Sequence, residues 1–162
     1  IVGAKLYYPN DTVQHAGVVI GMGADHAAGH VFYGVDRKQF TYGGRANSTQ
    51  DISAVTAACM MVKRSVHEDI GGFDENFEVA FNDVDYCLRV RELGKTIVFH
   101  GFVELYHYES RSRGLEDTPE KKERFNREAG LFRKRWKSIL DKGDPYYNPN
   151  LTLEDSNCTL KW

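Results

Sequence analysis

Acid, imidazole and guanidinium side chains gather between residues 71 and 114, in the stretch GGFDENFEVAFNDVDYCLRVRELGKTIVFHGFVELYHYESRSRG. Asp83 stands behind a glycine-rich, aromatic turn at the start of a helical pattern. A carboxylate placed there could act as a general base towards an arriving hydroxyl; as an N-cap it would only start the helix. Asp85 lies two residues further on and cannot share the direction of Asp83 on a helix, so the two make a poor metal clamp and Asp85 reads as structural. His107 ends a strand-like run. Its imidazole could ligate a divalent metal if carboxylates come from elsewhere, or could simply be hydrogen-bonded. Ser110, Arg111, Arg113 and Gly114 follow it. Guanidinium forks pair with phosphoryl oxygens and glycine permits close backbone approach, which suits a phosphate or pyrophosphate; a solvated loop has the same make-up.

The elements that would position these groups alternate between strand and helix patterns. IVGAKLYY and TVQHAGVVIG flank Pro9-Asn10-Asp11 and predict a hairpin. Residues 22–51 are glycine-rich with little periodicity, longer than a connecting loop should be. SAVTAACMMV is a continuous apolar run and predicts a central strand covered on both faces. Ser65 and Glu68 have the spacing of a capping box for a short helix that Gly71-Gly72 ends. VDYCLRVREL follows as a second helix, with Asp83 as its N-cap, arginines towards its end and Gly94 beyond. KTIVF and FVELYH predict two strands. Thr118-Pro119 then opens a long helix whose Phe125, Ala129, Phe132, Trp136 and Leu140 recur at helical spacing. The pattern is that of an α/β layered domain with a mixed sheet.

With 162 residues, 41% of them hydrophobic, the chain can build one domain-sized core, as one domain or part of one. A formal charge of -2 gives no basic field for nucleic acid. Cys59, Cys87 and Cys158 are odd in number and far apart, which fits a reducing compartment. No apolar run reaches the ~18 residues of a membrane span. Residues 120–137 carry eight Lys or Arg against three Glu, a local excess that suits either a peripheral contact with an anionic membrane or a solvated helix face. No phosphate-loop motif is present, Gly21-Met22-Gly23 lacks the third glycine of a dinucleotide fingerprint, and no cysteine pair has zinc spacing. The start at Ile1, without Met and already strand-like, reads as a cut from something longer.

Taken in order, VTAACMMVKRSVHEDIGGFDENF, FNDVDYCLRVRELG and HYESRSRG resemble the second half of family 2 glycosyltransferases, the inverting GT-A enzymes that build bacterial surface polysaccharides and O-antigens. The likeness runs over nearly the whole chain, from the early QHAG to the tail DPYYNPNLTL. It implies a mixed-sheet, three-layer α/β/α fold of which residues 1–162 are the C-terminal part of a single GT-A domain. Residues 1–62 would supply strands and a glycine-rich loop, 63–114 the acceptor, base and metal-loop region, 118–140 a long helix and 141–162 a tail.

By the same resemblance Asp83 is the catalytic base and His107 helps to bind a divalent metal, Mg or Mn, whose remaining ligands this chain does not carry. Thr56, Ser110, Arg111 and Arg113 would lie against the diphosphate of the donor, and Gly72, Phe73, Asp74 and Asn82 would bind the acceptor. The expected partners are a nucleotide-diphospho-sugar and a saccharide or lipid-linked acceptor, in the cytoplasm at the inner face of the membrane. Ala57 stands where the family usually has Gly after the Thr. The nucleotide-binding half with its Asp-x-Asp motif is expected upstream, and the fragment alone is expected to be inactive. Two other readings stand beside this one. The aromatic, glycine-rich segment from His26 to Tyr42 suits a non-catalytic carbohydrate-binding domain, and Asp83, Asp85 and His107 suit a metal-dependent phosphoesterase lacking further ligands.

Overall fold

The computed structural model describes residues 1–108 and 118–162. The β-rich start folds as expected. β1 (Val2–Tyr7) turns through residues 8–12 and pairs antiparallel with β2 (Val13–His15), Leu6 opposite His15. β1 buries almost its whole length because it is paired on both edges and sits in the middle of the sheet. Its other edge runs parallel to β7 (Val98–Tyr106), which pairs antiparallel with β5 (Thr49–Asp51). The short β6 (Met60–Met61) pairs with the start of β1. The sheet is therefore mixed, in the order β2-β1-β7-β5 with β6 beside β1, and the fold is of the α/β class. β3 (Val18–Ile20) and β4 (Ala28–His30) form a separate antiparallel pair.

Among the described residues four α-helices cover this framework: α1 (Arg64–Asp69), α2 (Asn82–Glu92), α3 (Pro119–Arg135) and α4 (Lys137–Lys142). α2 buries Val84, Tyr86, Cys87, Leu88 and Val90, and α3 adds Phe132 to the same core and also buries Ala129. The helical stripe read from the sequence continues past α3, with Trp136 buried at its end and Leu140 half-buried in α4. Thr118 caps α3, its hydroxyl accepting from the Lys121 amide at 3.4 Å, with Pro119 in the first turn.

Several local expectations are overturned. SAVTAACMMV is not a central strand. Ser53, Ala54 and Val55 are buried and Ala54 bridges Val18, but the chain then makes a 3₁₀ turn over Ala57–Cys59 with Ala57 and Ala58 exposed, and the strand that follows is only Met60–Met61. Ser65 does not cap α1, whose N-cap is Lys63 with no side-chain bond; Glu68 instead pairs with Arg64 one turn back, at 2.8 Å. Residues 22–51 hold β4, a 3₁₀ segment (Tyr42–Asn47) and β5 rather than one long loop.

The two strands expected at residues 95–107 are one, β7. Its register against β1 jumps from Ala4 opposite His100 to Lys5 opposite Glu104, so residues 101–103 are extra. Gly101 lies where they leave the ladder, and a Cβ there would meet the Ala46 carbonyl oxygen at 2.6 Å and that of Ser48 at 2.8 Å. The jump brings Glu104 beside Lys5, whose fully buried ammonium also reaches Asn47 Oδ1 at 2.6 Å.

The basic tract of residues 120–137 is substantially paired within the protein. Arg124 lies 3.6 Å from Glu128, Arg127 is 2.8 Å from Glu78, Arg135 bonds Asp74 and Asp85, and Lys137 bonds Asp141. Among the described residues no helix is long and apolar enough to cross a membrane.

Candidate active site

Asp83 is not the N-cap expected of it. That position belongs to Phe81, a non-glycine residue at φ 62, and Asp83 lies in the first turn of α2. A bulky residue with left-handed backbone persists only where its surroundings over-determine it. Here the causes are visible. From α3, the buried Glu128 accepts the amides of Val79 at 3.3 Å and Ala80 at 2.6 Å, while the Phe81 ring stacks on Phe132 at 5.1 Å and meets Phe125 at 5.5 Å. Together these contacts turn the chain so that Asn82 and Asp83 begin the helix.

The Asp83 carboxylate is half-buried and held from two sides. Oδ1 accepts the Val84 amide at 2.9 Å, and Oδ2 accepts the Ala57 amide at 3.0 Å, across 26 positions of sequence. It lies on the wall of a cleft of about 330 Å³ shared with Val18, His30, Phe81, Arg124 and Phe125. Such a cleft joins one fixed carboxylate to an imidazole, a cation and aromatic surface, and it can receive a polar ligand beside a proton acceptor.

Thr56 is the residue before Ala57, and its hydroxyl caps the 3₁₀ turn, accepting the Ala58 amide at 3.3 Å. Its own amide donates to His15 Nε2 at 3.4 Å. His15 in turn sits with its Nδ1 3.0 Å from Nδ1 of His30, the rings edge to face. No motif pointed to this histidine pair. QHAG gave the first member only as part of a resemblance, and β4 brings the second from fifteen residues away.

His107 follows β7, its amide extending the parallel ladder to the Tyr7 carbonyl at 2.9 Å, while its Nδ1 lies 2.8 Å from Gln14 Oε1. An amide oxygen can only accept, so the proton of that bond is on Nδ1, and Nε2 is the nitrogen through which the ring would ligate a metal. One imidazole is not a metal site. Among the described residues no three His, Cys, Asp or Glu side chains stand together as a ligand set, so the residues at hand do not by themselves fit a bound cation. Ser110, Arg111, Arg113 and Gly114 lie outside the described residues.

Gly72, Phe73 and Asp74 are brought together, but not with Asp83. They line a hollow of about 470 Å³ with Arg89, Arg135 and Trp136, and the two clefts share no lining residue. Phe73 stacks on Tyr86 at 4.5 Å. The Asn76 amide, with help from the Arg135 guanidinium at 2.6 Å, holds the Asp74 carboxyl down at about 2. Behind this hollow Asp85 is fully buried and accepts from Arg89 Nε at 2.8 Å, Arg135 Nη1 at 2.9 Å and Trp136 Nε1 at 3.0 Å. Arg89 also donates to the carbonyls of Ile70 and Gly72. Asp85 thus ties α2 to the end of α3, and Arg89 ties α2 to the segment that follows α1. Asn82 begins α2 next to the carboxylate and is half-buried.

A larger cleft, of about 690 Å³, lies between α4 and the tail and is lined by Leu140, Tyr147, Leu151 and Leu153 among others. Its buried carboxylate, Asp144, is spent on the amides of Ile20 and Tyr146, both at 2.8 Å, and ties the tail to β3. The smaller Asp83 cleft sets a carboxylate fixed by two backbone amides beside an imidazole and a guanidinium.

Comparison with known proteins gives matches over the whole chain. It is 49% identical over 160 residues to the uncharacterized protein y4gI of Sinorhizobium fredii, covering 98% of this chain and 17% of that protein. It is 40% identical over 162 residues to the O-antigen biosynthesis protein RfbC of Myxococcus xanthus, covering 99% of this chain and 12% of that protein. A shorter match, 30% identity over 69 residues, joins 43% of this chain to 22% of the N-acetylglucosaminyl-diphospho-decaprenol L-rhamnosyltransferase of Mycobacterium tuberculosis. The chain spans less than a fifth of the length of the first two relatives. No protein-family model and no solved structure matches it.

Proposed function

We propose that the chain is the acceptor-side part of an inverting, family 2 glycosyltransferase of GT-A fold, acting in cell-envelope polysaccharide assembly from a nucleotide-diphospho-sugar onto a saccharide or lipid-linked acceptor. The observation that carries the reading is the Asp83 carboxylate, fixed by the Ala57 and Val84 amides on the wall of a polar and aromatic cleft. The names of two relatives, an O-antigen biosynthesis protein and a rhamnosyltransferase, support the same class.

In this mechanism Asp83 accepts the proton of the acceptor hydroxyl as its oxygen attacks the anomeric carbon. The new glycosidic C–O bond forms on the face opposite the breaking bond, and the nucleoside diphosphate leaves with the electron pair, so configuration inverts. The two amides hold the carboxylate in one orientation before the acceptor arrives, which spares that ordering at the moment of reaction. His107 is the described residue that would hold a divalent metal with ligands from outside the chain; when bound, such a metal would stabilise the diphosphate charge. In the full-length protein, Asp83→Asn should lower transfer by at least about a hundredfold, within the usual worth of a general base, with donor binding retained. Unchanged turnover would exclude Asp83 as the base.

A non-catalytic carbohydrate-binding role is favoured by one observation, the exposed aromatic rings of Tyr33, Phe40 and Tyr42 in the glycine-rich segment. Glycan binding by the 162-residue chain that survives Asp83→Asn, without transfer by the full-length protein, would select it.

A further inference from the structure

We infer that His15 and His30 form a neutral imidazole pair that positions Asp83 by holding the Thr56–Ala57 turn. This rests on the reading of Asp83 as the base. The ring protons can be placed one by one. Nδ1 of His15 and Nδ1 of His30 are 3.0 Å apart, and only one proton fits between them. His15 Nε2 faces the Thr56 amide at 3.4 Å, and an amide can only donate, so Nε2 is bare and the His15 proton is on Nδ1. His15 therefore donates to His30, whose Nδ1 is bare and whose proton is on Nε2. Both rings are neutral.

The surroundings agree. His15 is completely buried in β2 against the ring of Phe99, and burial, followed by the closeness of His30, pushes its pKa well below the ordinary histidine value. His30 comes from β4 and lines the Asp83 cleft.

The mechanical consequence runs through two successive peptide groups. His15 fixes the amide of Thr56, and the next amide, that of Ala57, donates to Asp83 Oδ2 at 3.0 Å. Turning the first peptide plane re-aims the second. His15 is thus a positioning residue, and His30 sets its tautomer. The arrangement spans β2, β4, the 3₁₀ turn and α2, four elements that meet only in the folded chain.

Side chains of matched reach separate this role from simple core filling. In His15→Gln the amide oxygen takes the place of ring Nε2 and can still accept from Thr56; in His15→Asn the side chain reaches only the Nδ1 position. In the full-length protein His15→Asn should lower kcat about tenfold or more, with KM for donor and acceptor within about threefold, and His15→Gln should restore kcat to within about threefold of wild type. Nitrogen-15 NMR of the histidine-labelled chain should show one ring protonated on Nδ1 and its partner on Nε2, which core filling alone does not require. Equal turnover of the two variants, or a proton on Nε2 of His15, would overturn the inference. Asp83→Asn is measured alongside. If it is inactive while His15→Asn matches wild type, the positioning role fails and the base stands; if it retains turnover, both fail. Should His15→Asn not fold, the NMR tautomers of the wild-type chain decide.

Discussion

Replacing Asp85 by Ala should cost this protein a large part of its stability, and the size can be worked from its contacts. The carboxylate is fully buried and accepts three hydrogen bonds, from Arg89, Arg135 and Trp136. Truncation leaves the buried indole N–H without its acceptor and removes the anion shared by two guanidinium groups. Arg135 keeps Asp74 at 2.6 Å, whereas Arg89 keeps only neutral carbonyls. Removing one partner of a buried ion pair typically costs about 3–5 kcal/mol, and an orphaned donor adds to it, so a loss of about 3–5 kcal/mol is expected. At roughly 2–4 °C per kcal/mol for a chain of this size, the melting temperature should fall by about 6–20 °C. Asp83→Ala, which gives up two amide bonds at a half-buried position open to water, should cost only about 1 kcal/mol. Equilibrium urea unfolding and thermal melts of the 162-residue chain at neutral pH measure both. Equal losses, or a loss under about 1 kcal/mol for Asp85→Ala, would refute the division of the two aspartates into a folding tie and a candidate base.

Three other outcomes are expected. Asp74 sits at about 2 in the fold, below an ordinary aspartate, so the unfolded chain binds more protons than the folded one between about pH 4 and 2. Its contribution is full above about pH 4 and lost as the pH falls to about 2, so Asp74→Asn should flatten the acid side of a melting-temperature profile; an unchanged slope would count against it. Burial pushes the Cys87 thiol up to about 12 and raises that of Cys158, so a thiol reagent should label half-buried Cys59 first and the other two only on unfolding. Rapid release of all three thiols under native conditions would contradict that packing. Gly101→Ala would drive a Cβ to 2.6 Å from the Ala46 carbonyl oxygen, and should destabilise by about 1–3 kcal/mol as read by urea unfolding; a neutral effect would mean the 3₁₀ segment can yield.

Much of the framework was legible in the residues themselves. The hairpin around Pro9-Asn10-Asp11, the α3 stripe ending at Trp136, the Thr118-Pro119 start and the Gly71-Gly72 stop are written in near neighbours, because turn geometry, capping and the 3.6-residue period act over a few positions. Asp85 could be read as structural from its place two residues after Asp83 in the first helical turn. The same short range explains the errors. SAVTAACMMV has the composition of a buried strand, yet only Met60–Met61 pair with β1, at Val2 and Gly3, because β2 holds the Leu6–Tyr7 end of that edge and β7 holds the other edge. The Ser65 and Glu68 spacing matched a capping box, but the N-cap is Lys63, two residues earlier, and Glu68 is taken by Arg64.

Tertiary structure alone decided the site. Asp83 is held by the Ala57 amide, 26 residues earlier in the chain, and the preceding amide, that of Thr56, donates to a histidine 41 residues before it. The left-handed Phe81 is held by an α3 carboxylate and two further phenylalanine rings, and a phenylalanine gives no local reason for a positive φ. Gly72, Phe73 and Asp74, near Asp83 in sequence, belong to another hollow because Arg89 and Arg135 draw them towards Asp85. Residue types and spacing determined that a carboxylate would stand at the start of α2. Its orientation and neighbours come from hydrogen bonds between distant segments, which the chain cannot form until its core has closed around them.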